Sequence, residues 1–123
     1  MPLAEDIVTS RYRISSYSSD SVTVNEAICR QSLILSANEM ICPWPVTALH
    51  QLNTESLAPV FAYHPGVVLL GTGGQQQFPE PKIFALFGEH GIGLEVMDNG
   101  ALCRTFNILV AEDRAVVAAI LLP

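Results

Sequence analysis

The first third of the chain alternates between apolar and polar positions. Three such segments follow one another: YRISSY (12–17), SVTVNEAI (21–28) and RQSLILS (30–36). A period of two places the apolar side chains on one face of a strand, and β-branched and aromatic residues favour strands. Ser18-Ser19-Asp20 supplies a turn between the first two segments. The pattern predicts a small antiparallel β unit.

Turn and helix signals interrupt this alternation in the middle of the chain. The two prolines of Cys42-Pro43-Trp44-Pro45 end a further short strand, because proline has no amide proton to donate to a ladder. Thr54 is the predicted N-cap of a short helix that runs through Ala62, with Pro59 inside it. His64-Pro65-Gly66 then turns the chain into the next segment.

The rest of the chain predicts a strand–helix–strand unit. Residues 67–70 are continuously apolar, as in a strand covered on both faces. An amphipathic helix over 81–89 and a strand over 94–97 follow, and such a βαβ unit makes its two strands parallel. A second helix, about 99–111, and a last strand, 115–122, complete the order.

Together these elements predict one α/β domain over residues 1–123. It is a three-layer domain with a mixed central sheet, a βαβ unit and an N-terminal antiparallel β extension. We predict that 67–70, 94–97 and 115–122 share one sheet.

Composition adds a surface property to this picture. Half of the 123 residues are hydrophobic and 15% are charged, where about 25% is usual. So few charges predict an apolar surface patch, which favours a protein partner or a homo-oligomer; the alternative is a large core.

The charge of the chain argues against nucleic acid as a partner. The net charge is −6, and the basic residues form no stripe that would neutralise a phosphate backbone. They are Arg11, Arg13, Arg30, Lys82, Arg104 and Arg114. Neither a signal nor a transit peptide is visible, and the longest apolar stretch, AVVAAILLP, is shorter than the ~20 residues that span a bilayer. We expect a cytoplasmic protein that is not inserted in a membrane.

The cysteines give no indication of a metal site. Cys29, Cys42 and Cys103 are far apart in sequence and odd in number, no CxxC occurs, and no histidine stands at ligand spacing from them. We expect reduced thiols, no metal and no cofactor.

The fold predicts where a site would lie. Ligands usually meet a parallel sheet beyond the carboxyl ends of its strands. The strand ending at Leu70 delivers Gly71-Thr72-Gly73-Gly74 there, and the strand ending at Met97 delivers Asp98. We therefore expect these two segments to converge.

The glycine loop matches neither common nucleotide motif. A dinucleotide fingerprint starting at Gly71 would need glycine where Gln76 stands, and the lysine of a P-loop is absent. Two interpretations remain: the backbone N–H groups hold an anion, or the glycines only make a tight turn.

The segment Asp98 to Asn107 carries the remaining candidates. Asp98 is placed to N-cap the helix, and Cys103 lies at the edge of the helix's apolar arc, which predicts a buried, unreactive thiol rather than a nucleophile activated by His64 or His90. Arg104 either binds an anion or a partner's carboxylate in the crevice, or pairs with Asp98, Glu95 or an acid of the β unit. Ile108 lies opposite the buried arc, so the β unit or another subunit should cover it.

Three motifs give the chain a resemblance to a known family. They are Pro43-Trp44, VVLLGTGGQQQFP at 67–79 and GIGLEVMDNGALCRTFNILVAEDR at 91–114. On these residues the chain resembles the small α/β family of unknown function that includes the mitochondrial respiratory complex I assembly factor 3. Typical members read M-D-T-x-A-A-C-R-T-Y-N, from which Asn99, Leu102 and Phe106 depart.

The resemblance implies a three-layer α/β fold, no established enzymatic activity and a set of motif positions. These positions are Gly71, Thr72, Gly73, Asp98, Cys103, Arg104, Thr105 and Asn107. The leading hypothesis is a non-catalytic protein-binding or assembly factor, with no catalytic residue. The alternatives are a small-molecule or anion-binding domain that uses the GTGG loop and Arg104 and, third, a cysteine-dependent enzyme.

Overall fold

The computed structural model describes residues 11–123, which form two sheets. The small antiparallel sheet consists of β1 (Ile14–Ser18), β2 (Ser21–Val24) and β3 (Ala27–Cys29) in that order. The central sheet has the strand order β5–β4–β8–β6–β7. Its strands are β4 (Leu33–Ser36), β5 (Met40–Ile41), β6 (Val67–Gly71), β7 (Gly93–Met97) and β8 (Val116–Ile120).

The central sheet is mixed, as predicted. β6 pairs in parallel with β7 on one side and with β8 on the other, whereas β4 pairs antiparallel with both β8 and β5. The prediction that 67–70, 94–97 and 115–122 share one sheet, with the first two strands parallel, is therefore confirmed.

Three α-helices cover the two faces of this sheet. They are α1 (Thr54–Phe61), α2 (Pro81–Glu89) and α3 (Asn99–Ala111). The helix α3 and the small sheet share one hydrophobic cluster with one face of the central strands. The helices α1 and α2, with Trp44, share a second cluster with the opposite face. Alternate residues of β8 enter the two clusters: Val116, Ala118 and Ile120 on one side, Val117 and Ala119 on the other.

Two boundaries in the N-terminal half differ from the sequence prediction. The segment 21–28 is a hairpin rather than one strand, because Asn25 adopts a left-handed backbone (φ 55°) between β2 and β3. The segment 30–36 belongs to the central sheet, not to the β unit, since Leu33, Ile34 and Leu35 are all buried and β4 is covered on both faces. The N-cap of α1 is Asn53 rather than Thr54: its side chain accepts from Ser56 N–H at 2.8 Å.

The expectation of three reduced thiols is wrong for one pair. Cys29, at the end of β3, and Cys42, just after β5, form a disulfide whose Cα atoms are 6.6 Å apart. The bridge fastens the small sheet to the loop that leaves the central sheet. The sequence separation of 13 residues does not by itself indicate that these cysteines pair. They come together because the antiparallel strands β4 and β5 reverse the chain between them. Cys103 is free and buried.

Candidate functional site

The loop after β6 and the start of α3 converge at the carboxyl edge of the parallel strands, as predicted. Thr72 N–H donates to Met97 O at 3.0 Å, which extends the β6–β7 ladder past both strand ends. Asn99 N–H donates to Gly73 O at 2.8 Å. These backbone bonds hold the glycine loop directly against the first turn of the helix.

Asn99 is the central residue of this junction. It is 6% exposed, and its side-chain Oδ1 accepts from Gly73 N–H at 3.1 Å while Nδ2 donates to Leu121 O at 3.0 Å. One buried amide thus links the loop, α3 and the end of β8, with its hydrogen bonds made inside the protein. Sequence reasoning noted Asn99 only as a departure from the family motif. The sequence signal that would have identified Asn99 is an amide side chain in the first turn of a helix that follows a buried strand.

Two glycines are needed for this arrangement. A Cβ at Gly71 would overlap Asn99 Oδ1 and lie 3.0 Å from Leu102 Cδ1, so only glycine lets the amide approach the strand. Gly73 has φ +94°, a backbone conformation that other residues rarely adopt. Both positions therefore have a structural explanation that involves no ligand.

The side chain of Thr72 also forms hydrogen bonds within the loop. Its Oγ1 donates to Gln75 O at 2.7 Å and accepts from Gln77 N–H at 3.1 Å. Gln76 Nε2 donates to Val96 O at 2.9 Å and ties the loop to β7. The loop is closed by its own hydrogen bonds.

Asp98 is the N-cap of α3, as predicted: its Oδ1 accepts from Ala101 N–H at 2.9 Å. The carboxylate therefore already interacts with the positive end of the helix and gives the adjacent cleft a negative charge. This cleft has a volume of about 290 Å³. It is lined by Tyr17, Ser18, Ser19, Gly73, Gly74, Asp98, Asn99 and Gly100. Its charge disfavours an anionic ligand.

Cys103 is buried, as predicted, with 3% of its surface exposed. Burial raises the pKa of its thiol to about 11, and the charge of Arg104 lowers that pKa only in part. His64 and His90 line a cleft beside Phe61, on the α1–α2 face of the sheet, whereas Cys103 packs on the α3 face. The two histidines considered as activating bases are thus separated from the thiol by the central sheet.

The structure corrects the predicted position of Arg104. Its side chain is exposed and lines a groove of about 410 Å³ between α3 and β1, not the cleft beside the glycine loop. The groove is lined by Arg13, Ile14, Ser15, Ser16, Tyr17, Cys103, Arg104 and Asn107. The described ion pairs, Arg11–Asp113 and Lys82–Glu80, do not include Arg104, so within residues 11–123 the alternative pairing with Asp98, Glu95 or an acid of the β unit is not formed. Thr105, the neighbouring candidate, is half-buried.

Asn107 docks β1 on α3. Its Oδ1 accepts from Ile14 N–H at 2.8 Å, and its Nδ2 donates to Ile14 O at 2.8 Å. The amide thus imitates a neighbouring strand for one residue of β1. Among the eight candidate positions, the glycines, Thr72, Asp98 and Asn107 hold the fold together, and Arg104 is left facing solvent.

Comparison with known proteins assigns the chain to a family. The model of the family described as "Protein of unknown function (DUF498/DUF598)" matches residues 14–121. The chain belongs to this family.

Curated relatives of this DUF498/DUF598 chain differ in length. It is 30% identical over 110 residues to NADH dehydrogenase [ubiquinone] 1 alpha subcomplex assembly factor 3 of Xenopus tropicalis, a match that covers 80% of the chain and 60% of the relative. The chain thus spans little more than half the length of that factor. It is 25% identical over 122 residues to a 13 kDa major membrane protein of Francisella tularensis, covering 98% and 99% of the two chains.

A solved structure with a similar sequence has the same architecture. An NMR structure of a Xanthomonas campestris protein is 41% identical, with a TM-score of 0.83 over 90% of this chain and 84% of that one. Within residues 11–123, no helix has the length and apolar character needed to cross a bilayer. The same residues contain no group of three His, Cys, Asp or Glu side chains placed to hold a metal ion.

A larger cavity, which sequence reasoning missed, lies at the opposite edge of the sheet. It has a volume of about 630 Å³, and Arg11, Glu39, Tyr63, Asp113 and Arg114 are among its lining residues. Arg11 pairs with Asp113 and donates to Val110 O at 3.0 Å, and burial and Glu39 raise the pKa of Tyr63. Residues from four separate segments meet here, so no local pattern indicates it.

Proposed function

We propose that the chain is a non-catalytic protein-binding factor that assists the assembly of other proteins. The similarity to an assembly factor named for NADH dehydrogenase supports this proposal. It extends over the domain that the two proteins share and leaves the identity of the assembled partner open.

One observation carries the proposal. The family motif residues around Asn99 use their polar groups in internal hydrogen bonds, while the outer side of α3 exposes Ile108 to 58% together with the neighbouring Arg104. The β unit leaves Ile108 uncovered among the described residues. Within residues 11–123 the Arg104 guanidinium forms no ion pair, and arginine beside apolar side chains is a feature of protein interfaces.

The two alternatives have less support. Anion binding at Gly71–Gly74 is opposed by the Asp98 carboxylate, and Arg104 does not reach that cleft. A cysteine nucleophile is opposed by the raised pKa of Cys103 and by the position of His64 and His90 on the other face of the central sheet.

Site-specific photo-crosslinking tests the proposal. A photoreactive residue replaces Ile108 in one variant and Phe84 in the control; Phe84 is also an exposed apolar residue but lies on α2, across the sheet. We expect crosslinking in source cells to give a discrete adduct at position 108 and none at 84. No adduct at either position, or identical adducts at both, would contradict a binding surface on α3.

A further inference from the structure

The outer side of α3 presents a cation and an apolar side chain one turn apart. Arg104 and Ile108 are four residues apart, so they lie on the same face of the helix about 6 Å from each other. Both are exposed, Ile108 to 58%. Arg104 lines the groove between α3 and β1, and Ile108 lies one helical turn from it, beside the groove.

The opposite side of the groove adds a second cation and no acid. Arg13 precedes β1, is exposed and lines the groove together with the hydroxyl residues Ser15 and Ser16. The chain has six basic residues and a net charge of −6, yet two of the six line this groove and none of its lining residues is acidic. Within residues 11–123, neither arginine takes part in an ion pair. The groove is therefore locally basic on an acidic protein.

Hydrogen bonds and buried packing fix the shape of the groove. The two hydrogen bonds between Asn107 and Ile14 fix β1 against the helix, and Ile14 and Cys103 pack in the same buried cluster. At the far end, Tyr17 lies over Gly100, where an added Cβ would be 2.7 Å from the phenol oxygen. A preformed surface binds with a smaller loss of conformational entropy than one that must be ordered first.

We propose that this groove binds an acidic amphipathic segment of the partner protein, a deduction that rests on the protein-binding function proposed above. Carboxylates of the segment pair with Arg104 and Arg13, because a guanidinium binds a carboxylate through two parallel hydrogen bonds. An apolar side chain of the segment, one helical turn from a carboxylate, covers Ile108. Nucleic acid fits less well, since two arginines do not offset the repulsion between a polyanion and a chain of net charge −6.

A synthetic peptide probes this specificity directly. The probe is a fluorescently labelled helical peptide with Glu and Leu repeated four residues apart, and the control peptide has Lys in place of each Glu. We expect the 123-residue chain to bind the Glu peptide, measured by fluorescence anisotropy, and not the Lys peptide. Amide shifts in the NMR spectrum should map to residues 13–17 and 104–108.

Matched variants identify the side chains responsible. Arg104→Ala, Arg13→Ala and Ile108→Ser should each weaken peptide binding about fivefold or more, the range of a moderate interface contact. Lys82→Ala is the control: Lys82 is an exposed cation on α2, across the sheet, and its removal should leave binding unchanged. Arg104→Lys keeps the charge but loses the two-pronged geometry, so it should restore only part of the affinity. Circular dichroism of each variant verifies that the fold is retained.

Several results would overturn the inference. One is no binding of the Glu peptide at about 1 mM, a limit for weak specific association. Another is equal weakening by Lys82→Ala. Tighter peptide binding after Glu5→Gln with Asp6→Asn would show that the chain's own N-terminal segment is the occupant. A dimer in sedimentation that Arg104→Glu dissociates would show that the occupant is a second copy.

The same experiments separate failure of this inference from failure of the proposed function. In one outcome, position 108 crosslinks to a discrete partner through a segment without Asp or Glu, and Arg104→Ala does not affect the capture. That outcome supports the proposed binding function and rejects the acidic segment as the occupant. Absence of any partner adduct together with absence of peptide binding removes both. A partner segment rich in carboxylates, lost from the adduct in Arg104→Ala, supports both.

Discussion

At the scale of single residues, the family motif has two kinds of member. Gly71, Gly73, Asp98 and Asn99 fit one another through contacts and hydrogen bonds that leave little freedom for substitution. Arg104 contributes to no such network among the described residues and faces the groove instead. Mutations at the first group should therefore alter stability, whereas those at Arg104 should alter binding.

Gly71→Ala should destabilise the protein by roughly 1–3 kcal/mol, as added atoms do in a tightly packed core. Its Cβ would overlap Asn99 Oδ1, while Gly74→Ala places its Cβ in open space and should change the free energy of unfolding by about 0.5 kcal/mol or less. Urea denaturation measures both variants. In the double variant Gly71→Ala with Asn99→Ala, the losses should be less than additive because the overlap is relieved. Additive losses, or equal effects of Gly71→Ala and Gly74→Ala, would contradict this account.

Cys103 should make stability dependent on pH in the alkaline range. Its thiol has a pKa of about 11 in the folded protein and about 9 as an ordinary thiol, so the unfolded chain loses the proton first as pH rises. The contribution of the thiol is thus fully present below pH 9 and is lost as pH rises toward 11. Between pH 8 and pH 10, the free energy of unfolding should fall less in Cys103→Ala than in the parent protein. An identical fall in both proteins would show that the thiol is not responsible.

At the scale of elements, the contact between β1 and α3 decides the shape of the proposed binding surface. The small sheet is joined to the helix by the Asn107–Ile14 hydrogen bonds and by apolar packing of Ile14, Val22 and Val24. The groove exists only while this contact is intact. A variant that loosens it should therefore impair binding without removing either arginine.

Asn107→Ala should expose the small sheet to local opening. Loss of the amide leaves Ile14 N–H and C=O without their partner, an expected destabilisation of about 1–3 kcal/mol. Hydrogen exchange should accelerate in residues 14–29 more than in β6 and β8. Thr105→Ala, on the same helix and half-buried, serves as the control and should leave the exchange of β1 to β3 near that of the parent. Uniform acceleration across both sheets would contradict a local role.

At the scale of the whole molecule, a covalent bridge and a layered core connect the two sheets. Each face of the central sheet has its own apolar cluster, and the Cys29–Cys42 bond joins the small sheet to the segment that leads into Trp44 on the other face. The arrangement predicts that oxidation state affects the stability of the entire fold.

Removing the disulfide should lower the free energy of unfolding by about 3 kcal/mol, the loss expected for a closed loop of this length. Cys29→Ser with Cys42→Ser, compared with Cys103→Ala under the same non-reducing conditions, isolates the effect. Thiol titration of the unfolded, non-reduced protein should find one free thiol in the parent and none in Cys103→Ala. Three free thiols in the parent would show that the bridge is absent in solution.

The amino-acid sequence by itself determined the elements of the βαβ half and their arrangement. Continuous apolar runs at 67–70 and helical periodicity at 81–89 are local signals, and parallel pairing follows from the crossover. The Asp98 cap and the burial of Cys103 were likewise predictable, since a cap and a helix face depend on neighbours in sequence.

Only the tertiary structure decided which polar groups meet across the chain. The disulfide, the Leu121–Asn99–Gly73 junction and the Asn107–Ile14 pair each join residues that sequence spacing leaves unrelated. The sheet to which β4 belongs was likewise decided by the tertiary structure. The segment 30–36 begins and ends with polar residues, as an alternating strand of the β unit would, and only its antiparallel pairing with β8 places it in the central sheet. Arg104 was placed in the wrong crevice because helical periodicity gives the direction of a side chain relative to its own helix. The groove that it lines is set by β1, some ninety residues earlier in the chain.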